Sequence, residues 1–111
     1  MINNILTAAG VEHRRSRFLE PPAGTYAVYF DDVEVEGADP LRDVPAQAQR
    51  RIYRHDATVE LYVAKPDDKA EAAIEAELNR RGIFWTKEDR YWLQDVQRYQ
   101  VVYNIEFIEI K

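Results

Sequence analysis

Two hydrophobic rhythms alternate along the chain, one of period near 3.6 and one of period two. Ile2, Ile5, Leu6 and Ala9 fall at i, i+3, i+4 and i+7, which predicts a short helix with one apolar face. Asn3 or Asn4 is available as its N-cap and Gly10 as its stop. Thr25 to Asp31 is dense in aromatic and β-branched residues and reads as a strand, and Val33-Glu34-Val35-Glu36 continues it with strict alternation. The cleanest strand runs from His55 to Lys65, with Ala57, Val59, Leu61 and Val63 on one face.

Pro66 ends that strand, and Asp68 with Glu71 three residues on forms a capping-box arrangement. Ala70, Ala73, Ile74, Glu77 and Leu78 then follow at helical spacing, apolar except at Glu77. Arg80-Arg81-Gly82-Ile83 closes this second helix: basic residues in the last turn, glycine at C′, and an apolar residue at C″ that can touch Leu78. Short segments at 83–87 and 90–94 precede a long strand from Arg98 to Ile110. Tyr99, Val101, Tyr103, Ile105 and Phe107 share one face of it, and Val102, Ile108 and Ile110 the other.

The expected fold class is therefore α+β: two layers, a mostly antiparallel or mixed sheet of four to five strands, and two helices packed on one face. With 111 residues the chain is expected to form a single domain spanning 1–111. Residues 37–50 contain Pro40 and Pro45 and no apolar period, and read as a long loop or arm.

Composition narrows the function. A chain with 46% hydrophobic residues and no cysteine folds around a core rather than on disulfides, and cysteine nucleophiles and zinc knuckles are excluded. Fifteen Lys+Arg against twenty Asp+Glu give a net charge of −5, which argues against sequence-specific nucleic acid and anionic membrane as partners. No apolar run exceeds Tyr26 to Phe30, and Met1-Ile2-Asn3-Asn4 lacks the features of a signal peptide, so a cytoplasmic protein is expected.

Candidate chemistry is sparse. The four glycines are isolated, which excludes a phosphate loop, and Ser16 is the only serine, which leaves no nucleophile elbow. His13 lies near three arginines and reads as a polar surface position. His55-Asp56 can be drawn as a general base with its carboxylate, although a strand-entry pair making local hydrogen bonds is the favoured reading. The expectation is no enzyme, no metal and no cofactor. Charge, in contrast, is segregated: Asp31, Asp32, Glu34, Glu36 and Asp39 place five carboxylates in nine residues, and Arg42, Arg50, Arg51 and Arg54 follow. Opposite patches of this kind suit head-to-tail contacts between subunits and form the candidate interface. Aromatic residues cluster late, at Trp85, Tyr91, Trp92, Tyr99 and Tyr103, and strand alternation cannot bury all of them on one face.

The segments Pro21-Pro22-Ala23-Gly24-Thr25-Tyr26-Ala27-Val28-Tyr29, Glu36-Gly37-Ala38-Asp39, His55-Asp56-Ala57-Thr58-Val59-Glu60-Leu61-Tyr62 and Tyr99-Gln100-Val101-Val102-Tyr103 together resemble a group of tailed-phage and prophage proteins. These are the head-to-tail joining and tail-completion, or tail-terminator-like, proteins. The resemblance implies a structural subunit of the virion that forms a homo-oligomeric ring, often a hexamer, against head-connector or tail-tube proteins, assembled in the bacterial host cytoplasm. The stretch from Pro40 to Tyr53 is longer and more charged than in that group, so no family binding residue is carried onto it. The competing class is a small α+β regulatory module that binds a metabolite at a subunit interface.

Overall fold

The computed structural model describes residues 1–18, 22–36, 52–65, 69–88 and 90–110, and these form an α+β fold of two layers. The elements are α1 (Ile2–Ala8), β1 (Glu12–Arg15), β2 (Tyr26–Glu36), β3 (Ile52–Val63), α2 (Lys69–Arg80), β4 (Phe84–Lys87), β5 (Tyr91–Leu93) and β6 (Arg98–Ile110). One mixed sheet takes the order β1-β2-β3-β6-β4, with β5 also on β6. Among the described residues, only β1 and β2 pair in parallel.

The sheet has six strands where four or five were expected, for two reasons. β4 and β5 lie one after the other along the same edge of β6, opposite residues 103–106 and 98–100, and so make a single interrupted edge. β1 is the other addition. Its residues Glu12, His13, Arg14 and Arg15 are all polar and carry no alternation, and it is held by its ladder to β2 and by the buried Val11 before it.

Both helices cover one face. Ile2, Ile5 and Leu6 of α1 and Ile74 and Leu78 of α2 pack on Ala27, Ala57, Val59, Leu61, Val63, Val101, Tyr103 and Ile105, the alternate residues of the three central strands. Met1 rather than Asn3 or Asn4 precedes α1, because the helix must start early enough to carry Ile2 into this core at 2% exposure. The predicted Asp68 cap and Pro66 stop lie outside the described residues.

Both helices end on a Schellman motif. Val11 and Gly10 donate their backbone N–H groups to the carbonyls of Leu6 and Thr7, and Ile83 and Gly82 donate theirs to Leu78 and Asn79. Gly10 and Gly82 sit at φ +74° and +67°, where a Cβ would strain the backbone although nothing crowds it. Gly82→Ala is expected to cost about 1 kcal/mol in a urea unfolding titration through this strain alone. Glu77, the one polar position on the predicted face of α2, is bridged by Arg80 at 2.5 Å and Arg81 at 2.8 Å, and these guanidiniums hold its carboxyl down at about 2.

Strand length decides the shape. β2, β3 and β6 hold 11, 12 and 13 residues, about 37–44 Å of extended chain, whereas the 12 residues of α2 rise only about 18 Å. The helices therefore cover one end of the sheet and leave the other projecting. The described residues measure 57 × 29 × 22 Å, with a radius of gyration of 16.9 Å against about 13 Å for a compact chain of this length.

Candidate functional site

The projecting end is built by the hairpin of β2 and β3 together with the last third of β6. Its register is uninterrupted: Asp31, Val33 and Val35 lie opposite Ala57, His55 and Tyr53, which in turn lie opposite Ile105, Phe107 and Glu109. On one outer edge, β1 accompanies β2 only as far as Tyr29. On the other, β4 accompanies β6 only as far as Glu106. Among the described residues, the stretches 30–36 and 107–110 therefore run along sheet edges with no neighbouring strand, a geometry that accepts another chain.

On the helix side the core fades into a polar cluster centred on His55, which is 8% exposed. Its ring stacks on Phe107 with centroids 4.2 Å apart. Nδ1 lies 3.0 Å from Asp31 Oδ1, and Nε2 lies 3.5 Å from a Glu109 carboxylate oxygen. The His55-Asp56 pairing considered from sequence does not form, because consecutive residues of a strand point to opposite faces. Asp31, a diagonal cross-strand neighbour, takes the place of Asp56.

On the far side Asp32, Asp56 and Glu106 stand directly opposite one another in a single row across three strands, and Glu34, Arg54 and Ile108 form the next row. Like charges facing each other across strands cost roughly 0.2–1 kcal/mol per pair. A basic surface docked on the row would relieve that repulsion. No three His, Asp or Glu side chains among the described residues converge closely enough to hold a metal ion. Beside the row, where β4 begins at Phe84, a groove of about 890 Å³ opens between the edge of β6 and the turn after α2. Phe84 and Ile108 line it and are 64% and 61% exposed.

Of the candidate interface residues, Asp32 and Glu34 alternate along one side of β2, Asp31 lies on the other beside His55, and the side chain of Glu36 lies outside the described residues. Arg54 stands opposite Glu34 and lines the groove, so the two charged patches meet first within one hairpin. Asp39, Arg42, Arg50 and Arg51, with the arm at 37–50, lie outside the described residues. The aromatic cluster divides: Tyr103 is fully buried and Trp85 half-buried, while Tyr91 and Trp92 on β5 are exposed.

Sequence reasoning missed a second polar cluster. Glu71 stands in the first turn of α2 as expected and is also buried, with Lys87 at 2.9 Å and Arg90 at 2.6 Å. Lys87 also reaches Glu75 at 2.8 Å, and the Tyr103 hydroxyl donates to the same Glu75 oxygen at 2.7 Å. Burial, reinforced by the Glu75 carboxylate, pushes the Tyr103 phenol well above its ordinary value. The available signal was Glu71 and Glu75 one turn apart on α2, with Lys87 and Arg90 following the turn.

No known family profile matches the chain, and no curated protein does. Among solved structures, it is similar to a chain described as belonging to the virion of a native gene transfer agent particle, with a TM-score of 0.54 and 12% sequence identity. The match covers 92% of this chain and 81% of that one. At this identity the likeness shows a shared fold.

Proposed function

We propose that this protein is a non-catalytic structural subunit of a phage-type virion, acting at the head-to-tail junction or the tail end by assembling into a ring. The observation that carries the reading is the fold likeness to a virion chain, which extends over 92% of the protein. The projecting sheet supports it: two edges without a strand neighbour, an acidic row and exposed apolar residues are what a subunit offers to neighbours on both sides. Its mechanism is geometric. Copies meet through the projecting ends, and head-connector or tail-tube proteins stack against the ring.

Deleting the gene from the genome that carries it, followed by electron microscopy of the particles produced, tests this reading. Unjoined heads and tails, or tails of uncontrolled length, are expected. Intact particles at the normal yield would overturn it.

A further inference from the structure

The sheet face turned away from the helices carries a second concavity, at the opposite end from the projecting strands. Its floor is the pair Tyr26 and Tyr62, stacked at 4.9 Å, with Glu60 beside them. Phe18, which follows β1 and meets Tyr26 edge-on at 5.5 Å, forms one wall. The turn between β5 and β6, with Trp92 and Asp95, forms the other. The open cup holds about 530 Å³, within the volume range of pockets that take a specific ligand group.

The chemistry of this cup is anionic and aromatic together. Gln100 donates to the Tyr62 hydroxyl at 3.1 Å, and that hydroxyl donates to Glu60 Oε1 at 3.3 Å, which fixes the carboxylate at the floor. Among the described residues no cationic group lies within ion-pair distance of Glu60. Half-buried carboxylates normally acquire such a partner. Arg17 and Asp95 also line the cup, so the lining carries one cation against two anions, and the Arg98 guanidinium acts on the Tyr26 hydroxyl from outside it. The Trp92 indole N–H is already spent on Gln94 at 2.9 Å, which leaves that ring only its faces and edges to offer.

We infer that this cup receives an arginine side chain from a partner protein, its guanidinium paired with Glu60 and stacked against Tyr62 and Phe18. A planar, weakly hydrated guanidinium suits both the rings and the carboxylate better than a compact ammonium does. The rim argues for a protein rather than a free cation: Trp92 and Val96 are 46% and 37% exposed, an apolar surround that a macromolecular partner would cover. The inference goes beyond the virion reading and does not depend on it.

The test is an NMR titration of the intact protein with a blocked glycine-arginine-glycine peptide, the same peptide bearing citrulline, and tetramethylammonium. The arginine peptide is expected to shift the Trp92 indole N–H and the amides of residues 93–96 saturably, with the other two at least tenfold weaker. Glu60→Gln, which can still accept from Tyr62, is expected to weaken the arginine peptide at least tenfold while the melting temperature holds. Equal binding of the citrulline peptide or tetramethylammonium, no saturable shift with arginine, or an unchanged affinity in Glu60→Gln would each overturn the inference.

Discussion

Tyr103→Ala is expected to remove about 4 kcal/mol of stability, and Tyr103→Phe about 1–2 kcal/mol. The side chain is fully buried between α2 and the sheet, meets Trp85 edge-on at 5.8 Å, and donates its hydroxyl to Glu75. Alanine leaves a ring-sized cavity at the centre of the core. Phenylalanine keeps the volume and removes only the hydrogen bond, and Glu75 retains Lys87. Domains of this kind have about 5–15 kcal/mol in total, so the alanine variant is left marginal. Equilibrium urea unfolding of the two variants beside the parent checks the pair. A loss below about 1 kcal/mol in Tyr103→Ala would show that the ring does not pack as described.

Phe84→Ser combined with Ile108→Asp is expected to act in the opposite way, sparing the fold and weakening association. Both residues are more than half exposed, at 64% and 61%, so the unfolding free energy should stay within about 0.5 kcal/mol of the parent. In an assembled ring each would be buried, and burying a large apolar side chain contributes about 1.5–3 kcal/mol. Losing two such contacts weakens self-association by at least about 100-fold. Sedimentation velocity across a concentration series reads this directly. Association equal to that of the parent would remove the groove beside β6 from the interface.

Much of the fold was legible because local rules and tertiary needs agree. Gly82 and Ile83 announced the end of α2, and the alternation from Ala57 to Val63 announced the buried face of β3, since each follows from one short stretch of chain. What was hidden depended on residues far apart in sequence. Residues 37–51 separate β2 from β3, so no tight turn revealed the register, and without register Asp31 cannot be seen to reach His55. β1 was illegible for a different reason: an edge strand of four polar residues is held by backbone hydrogen bonds, which leave no mark on side-chain pattern. Glu71 does lie in the first turn of α2, but its partners Lys87 and Arg90 could not be read from sequence, because a carboxylate in the first turn of a helix already has a sufficient local explanation. At the candidate site, the segregation of charge was visible in sequence. The opposition of Asp32, Asp56 and Glu106 across three strands was not.

The proposed ring requires copies of this chain to associate through the projecting end of the sheet. Native mass spectrometry of the purified protein, from dilute to concentrated solution and with virion proteins added, tests it most directly. One closed species at a fixed multiple of 13.0 kDa is expected, lost in the Phe84→Ser, Ile108→Asp variant. A 13.0 kDa monomer under every one of those conditions would contradict it.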